Sequence, residues 1–338
     1  MIENRPLRIA HISDLHILDL AGTRWQAFMN KRITGAANLA GLRRNAHPVE
    51  LCERLAKRLQ ADDIDHVIIT GDVTNLALDS EFKRARQIVE TIGPPAYVTM
   101  IPGNHDIYTR GALKHHRFER WFAEYLVDDI GDAHQPKNSG RLHYPFVRKP
   151  APHVRIYGVS SAIPTPPLLA FGHVGKPQLD RLRDLVLHEP PEVTVRIVLV
   201  HHNLHHHLGP AEHLASLFDR QNFANTMRDI HASVVLHGHT HHPHQGHLSV
   251  RHKSLKIQGN SKLVVESELP AHIPVLGCGS STWAKNGREL ARFNVLEIVP
   301  TGLHKVLSYI FRKQSAEFEP EHTDLLAKAL HQDGQIAL

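Results

Sequence analysis

Leu7-Arg8-Ile9-Ala10-His11-Ile12-Ser13-Asp14-Leu15-His16 sets an apolar run directly before a carboxylate and an imidazole two residues apart. A short apolar run of this kind reads as a buried strand. Side chains just past the carboxyl end of such a strand face the crevice where α/β sheets hold ligands. His11, inside the run, reads as a hydrogen-bonded core imidazole. The pattern recurs where His66-Val67-Ile68-Ile69-Thr70 leads into Gly71-Asp72-Val73-Thr74-Asn75, and where Ala96-Tyr97-Val98-Thr99-Met100 leads toward Gly103-Asn104-His105-Asp106. Two more runs, Val195-Arg196-Ile197-Val198-Leu199-Val200 and Ser233-Val234-Val235-Leu236, precede His201-His202-Asn203 and Gly238-His239-Thr240-His241.

Helical periods separate these strands. Leu51, Leu55 and Leu59 recur at fourfold spacing, and Phe82, Ala85, Val89 and Ile92 trace a helical face after Ser80, a residue type that caps helices. Leu179, Leu182 and Val186, then Phe223, Met227 and Ile230, mark two further helices. Alternation of strand and helix predicts an α/β fold. After His241 the runs Ile273-Pro274-Val275-Leu276-Gly277 and Phe293-Asn294-Val295-Leu296-Glu297-Ile298 predict a second, β-rich sheet. Because the polar blocks come from both halves, residues 1–313 read as one domain and residues 314–338 as a peripheral tail. Residues 22–47 form a basic insertion, with Arg24, Lys31, Arg32, Arg43 and Arg44 among Trp25, Phe28, Ile33, Leu39 and Leu42. The expectation for it is a cap packed on the domain, a lid over an anionic substrate, or a contact with anionic lipid headgroups.

Thirty histidines in 338 residues exceed what a core or a solvated surface needs, and imidazole is a preferred ligand of borderline transition metals. Carboxylates, imidazoles and one amide oxygen suit Mn, Fe or Zn, whereas an all-oxygen set would point to Mg or Ca. A hydrophobic content of 41% and charged content of 22% exclude disordered and fibrous classes. The net charge of +5 leans toward anionic partners, but outside residues 22–47 no extended basic stripe with interleaved aromatics of the nucleic-acid-binding kind is present. Cys52 and Cys278 form no CxxC pair, and neither a leader pattern nor a run of about eighteen apolar residues is evident. The expected location is the cytoplasm, with a peripheral position at the inner membrane face if residues 22–47 touch lipid.

The order DxH, GDxxN, GNHD, H and GHxH across residues 14–241 resembles that of the calcineurin-like metallophosphoesterases. Gly172, Gln178, Leu179 and Leu182 add a similarity to the glycine, Gln-Leu and helix that many members carry. The resemblance implies a four-layer α-β-β-α sandwich of two mixed β-sheets flanked by helices. It also implies two divalent or mixed-valence transition metal ions, Mn, Fe or Zn. Asp14, His16 and His241 would hold one ion, Asn104, His201 and His239 the other, and Asp72 would bridge both, with His202 left open as the alternative to His201. A shared carboxylate is reasonable, since two cations ~3.5–4 Å apart repel and need an anion between them. His105 would be the general acid toward the leaving oxygen, and Asp106 would orient an imidazole or cap a helix start.

The implied reaction is hydrolysis of a phosphodiester in a small phosphorylated substrate by a hydroxide that two metals activate. Within the family the layout resembles bacterial class III cyclic-nucleotide phosphodiesterases, which makes a cyclic nucleotide the first expected substrate. Other readings are a pyrophosphohydrolase on a lipid-linked substrate such as UDP-diacylglucosamine, a phosphomonoesterase, or a nuclease. A non-enzymatic scaffold fits poorly, because no ligand position is missing. His205, His206, His207, His242, His244 and His247 read as solvated loop histidines or substrate contacts. The sequence sets no oligomeric state.

Overall fold

The computed structural model describes residues 5–22, 47–130, 144–166, 169–205, 215–251, 255–258, 262–265, 270–283, 290–330 and 336. Residues 23–46 of the basic insertion, and with them its expected role as lid or lipid contact, lie outside the described residues. So do His206 and His207.

Two six-stranded mixed sheets make the frame. The first contains β1 (Leu7–Ile12), β2 (His66–Ile69), β3 (Val98–Met100), β12 (Arg292–Val299), β13 (Gly302–Arg312) and β14 (Glu317–Asp324), in the order β14-β13-β12-β1-β2-β3. The second contains β4 (Phe146–Ala151), β5 (Val154–Gly158), β6 (Val195–Leu199), β7 (Val234–His237), β8 (His244–Arg251) and β11 (Pro270–Gly277), in the order β4-β5-β6-β7-β11-β8. A separate ribbon pairs β9 (Leu255–Gln258) with β10 (Lys262–Val265).

Pairing is parallel from β1 to β2 to β3 and from β5 to β6 to β7 to β11, and antiparallel toward the sheet edges. Parallel strands covered on both faces need apolar residues at every position, and β2, His-Val-Ile-Ile, is buried throughout. Helix α1 (Val49–Ala61) buries Leu51, Cys52, Leu55, Ala56 and Leu59, and α2 (Asp79–Ile92) buries Phe82, Ala85, Ile88, Val89 and Ile92; both lie in one core with β1, β2 and β3. Short helices α3 (Arg110–Lys114) and α4 (Arg117–Phe122) follow. Then α5 (Lys176–Leu187) and α6 (Arg220–Asp229) cover the second sheet, in a core containing Val198, Val235 and Val275. The expected sandwich of two mixed sheets with flanking helices is the observed architecture. Among the described residues no helix is long and apolar enough to cross a membrane.

Two expectations change. The runs at 273–277 and 293–298 do not share a sheet of their own: β12, with β13 and β14, joins β1, while β11, with β8, extends the second sheet. The reason is β1, which pairs with β2 along one edge and would present an open edge on the other without β12. The stretch from Gln314, read as a peripheral tail, supplies edge strand β14, where Phe318 packs on Phe293 with ring centroids 5.5 Å apart. Helix α7 (Leu325–Ala329) then buries Leu325 and Ala329 against β8 and β13. An edge strand needs apolar side chains only at alternate positions, so its polar composition resembled that of a tail.

Candidate metal centre

The loops leaving β1, β2, β3, β6 and β7 meet at one end of the two sheets. Asp14 N–H donates to the Gly71 carbonyl at 3.1 Å and His16 N–H to the Asp72 carbonyl at 2.9 Å, so the first two loops stay paired past their strands. Gly238 N–H likewise pairs the β7 and β6 loops through the His201 carbonyl at 3.1 Å, and the second sheet is tied to the first where Ser281 N–H donates to the Ser13 carbonyl at 2.9 Å and His239 N–H to Asp14 Oδ2 at 3.0 Å. Asp14, His16, Asp72, His239 and His241 all take positive φ, between 46° and 71°. That region is uncommon for residues with a Cβ and concentrates where function over-determines the backbone. Gly103 approaches Asp72 so closely that a Cβ there would collide with the Asp72 carboxylate and backbone nitrogen.

Two groups of side chains result, with Asp72 common to both. In the first, the His16 and His241 Nε2 atoms are 2.8 Å apart. Asp14 Oδ1 lies 3.7 Å from His16 Nε2 and 3.5 Å from His241 Nε2. In the second, Asn104 Oδ1 lies 3.0 Å from His201 Nε2 and 2.9 Å from His239 Nδ1. Asp72 Oδ2 is 3.7 Å from His16 Nε2 and 3.4 Å from His201 Nε2, while its Oδ1 accepts from His105 N–H at 2.7 Å. Thus one carboxylate oxygen faces both groups and the other is held by the backbone.

These donors suit a cation. The Thr70 carbonyl can only accept, so the His201 Nδ1 atom 2.7 Å from it carries the proton, and the Nε2 lone pair of the neutral ring faces the oxygens of Asn104 and Asp72. Something positive must stand between such groups. A proton can fill that place: burial disfavours a charged His201, yet the Asp72 carboxylate outweighs it and pulls the ring up to about 9. Burial likewise opposes charge on Asp72, but His201 and His105 hold it well below the usual carboxylate range. Asp14 is pushed up to about 7 by burial, against the pull of His201. Burial, with neighbouring imidazoles, keeps His16 well below its ordinary value and His239 at about 3, so both present neutral nitrogens. A buried set of neutral imidazoles and carboxylates in this spacing is a transition-metal donor set.

All seven residues expected as ligands converge here, and His105 stands beside them. Its Nδ1 donates to the Asn75 carbonyl at 2.6 Å, so a second proton would sit on Nε2. His202 turns away: its Nδ1 is 2.7 Å from the Ser161 hydroxyl, and the group formed by Asp72, His201 and His239 leaves it out. Among the described residues Asp106 hydrogen-bonds to no imidazole and caps no helix. Its carboxylate accepts from Gly103 N–H at 2.9 Å, Thr74 N–H at 2.9 Å, Val73 N–H at 3.3 Å and the Thr74 hydroxyl at 2.9 Å, fastening the β2 and β3 loops together.

One residue escaped the sequence reading. His47, the last residue of the insertion, lies 4.8 Å ring to ring from His16, and its Nδ1 is 2.7 Å from Thr282 Oγ1. With His16 and His241 it forms a further triad of nitrogens within 4.8 Å of one another. Only its place at the insertion's end hinted at this. Trp283 lies against the rings of His47 and His241, with centroids 5.3 and 5.9 Å away.

The sequence matches the family profile of the calcineurin-like phosphoesterases over residues 7–243. No curated protein matches the chain significantly by sequence. Among solved structures it is similar to the purple acid phosphatase PPD1 of yellow lupin (Lupinus luteus) seeds, at 13% identity and a TM-score of 0.54, covering 94% of this chain and 53% of that one. The chain therefore spans about half the length of the lupin protein, and this likeness is one of fold. Weaker likenesses are to the zinc-complexed Vps29 of Entamoeba histolytica (15% identity, TM-score 0.37, 94% and 99% covered). A Streptococcus pneumoniae protein described as a predicted phosphoesterase gives 12% identity and a TM-score of 0.33, with 94% and 97% covered.

Proposed function

The chain belongs to the calcineurin-like phosphoesterase family, whose matched region takes in all seven expected ligands and His105, and on that premise we propose that this metal-dependent phosphoesterase cleaves a small phosphodiester, a cyclic nucleotide being the first candidate. Asp14, His16 and His241 would hold one ion and Asn104, His201 and His239 the other, with Asp72 shared. When bound, such a pair lowers the pKa of water toward neutrality and polarises phosphoryl oxygens.

The observation that carries this reading is the single Asp72 oxygen, 3.7 Å from His16 Nε2 and 3.4 Å from His201 Nε2. The chain's own residues do the rest. His105, whose ring nitrogen lies within 4.8 Å of ligand atoms of His16 and Asp72, holds a proton on Nε2 and gives it to the departing ester oxygen. The Asn75 carbonyl and the stacked Tyr108 ring, 5.3 Å away, fix its orientation. The cyclic-nucleotide reading rests on the motif layout and on Trp283, a flat, partly buried indole next to His47 and His241 that suits stacking by a base.

The test is a comparison of kcat/KM on manganese-loaded protein for bis-p-nitrophenyl phosphate, cyclic AMP and p-nitrophenyl phosphate. Both diesters should be preferred, and Trp283→Ala should raise KM for cyclic AMP more than for the chromogenic diester. Preference for the monoester would overturn the diesterase reading. Turnover of the chromogenic diester without cyclic AMP would remove the nucleotide.

A further inference from the structure

Three histidines outside the site just described come together on the second sheet. His237 ends β7, His244 begins β8, and both are register partners of Gly277 on β11, the strand between them. Cross-strand partners project from the same face of a sheet, so the two imidazoles stand on either side of a residue with no side chain. A Cβ at Gly277 would fall 2.6 Å from His237 Cε1, 2.9 Å from His237 Nε2 and 3.2 Å from His244 Cβ. The glycine keeps open the gap between the two rings. His205, on the loop after β6, closes over it: its ring stacks on His244 with centroids 3.3 Å apart and lies 5.4 Å from His237. Asn203 holds that loop by donating from Nδ2 to the His205 carbonyl at 2.6 Å.

We propose that His205, His237 and His244 form an additional transition-metal site, separate from the Asp72 centre, that takes a borderline ion such as zinc. One ring nitrogen from each lies within 4.8 Å of the others. His205 and His237 are buried, 5% and 0% exposed, so the sequence expectation of solvated loop histidines does not hold for His205. The His237 Nδ1 donates to the Gly238 carbonyl at 2.9 Å, which sets the tautomer and turns the Nε2 lone pair toward the gap. That is the usual arrangement of a metal-bound histidine, whose other nitrogen donates to a carbonyl or carboxylate. An all-imidazole set selects zinc, copper or nickel over magnesium or calcium. Zinc holds three protein ligands and leaves a fourth position for water.

The site's place gives it a role. His205, His237 and His244 stand four, two and three residues along the chain from His201, His239 and His241. An ion there ties the β6 loop to the β7–β8 loop, and these loops carry three of the seven donors of the main centre.

The test is metal content after equilibrium dialysis of apo full-length protein against zinc, by mass spectrometry. Wild type should bind three ions per chain, His244→Gln two, and the double variant Asp72→Ala/His201→Ala should keep one. His205→Gln, on a loop rather than a strand, repeats the measurement should His244→Gln fail to fold. In the double variant, zinc should still raise the melting temperature, and adding His205→Gln should abolish that rise. Equal metal content in wild type and His205→Gln would overturn the additional site. Metal content unchanged in the double variant would overturn the Asp72 centre and leave the three-histidine site standing.

Discussion

The Nε2 atoms of His16 and His241, 225 residues apart in the chain, lie 2.8 Å from each other. Lone pairs at that separation need a proton or a metal between them, and burial, with His241 and His105 nearby, holds the protonated form of His16 far below its ordinary range. Stripping the protein with a chelator should therefore abolish activity and lower the melting temperature. Manganese or zinc should restore both. At a hundredfold excess over Kd, one bound ion contributes about 2.7 kcal/mol. Full activity in protein shown by elemental analysis to be metal-free would contradict the assignment.

His105→Ala should lower kcat by ~10²–10⁴-fold, the usual contribution of a general acid, and leave metal content unchanged. The loss should shrink for p-nitrophenol esters, whose leaving group departs without help, and be largest for alkoxide leaving groups. An equal loss on both kinds of ester would assign His105 to phosphate binding instead.

Asp106→Ala would leave the buried N–H groups of Val73, Thr74 and Gly103 without their acceptor, and the Thr74 hydroxyl with the His105 carbonyl at 3.4 Å. Each such group costs ~1–3 kcal/mol when unsatisfied, so the variant should lose at least ~3 kcal/mol in denaturant unfolding. Asp106→Asn keeps one acceptor oxygen and should lose less. A stability within 0.5 kcal/mol of wild type, roughly the scatter of a neutral surface change, would rule out this bracing role.

His66 tests the buried imidazoles away from the metal centre. Burial, reinforced by the Arg148 charge, lowers it to about 3, and its Nε2 lies 2.7 Å from Thr99 Oγ1. Because the folded-state value lies below the unfolded one, this contribution is complete above pH 6.5 and shrinks as pH falls toward 3, where the unfolded chain binds a proton that the fold refuses. The slope is about 1.4 kcal/mol per pH unit from this group. Chemical unfolding of His66→Gln between about pH 6 and pH 4 should show a gentler fall than wild type, by one proton's worth. Parallel slopes would contradict a neutral buried His66.

The five polar blocks were legible because each is contiguous and follows an apolar run, so strand periodicity alone placed Asp14, Asp72, Asn104, His201 and His239 at one end of the sheets. Long-range relationships were not. His47 reaches His16 only because Thr282, 235 residues further on, takes its other nitrogen. No local pattern encodes that. Ser80, expected to cap α2, instead donates to the Asp19 carbonyl, and Glu81 turns back to accept from the N–H groups of Leu76 and Leu78. Asp106 acts through backbone donors of another loop, which leave no trace in residue type. The strand β12 looked like part of a separate sheet because pairing partners are set by which edge remains open, not by order along the chain.

The place of β12 beside β1 bears on biosynthesis. Residues 7–12 are synthesised long before their antiparallel neighbour at 292–299. Until that neighbour is made, the nascent polypeptide carries an apolar ribbon with one bare flank, the kind that recruits chaperones or pairs with a stranger. Deleting residues 292–299 would thus harm the loop that carries Asp14 and His16, far earlier in the chain.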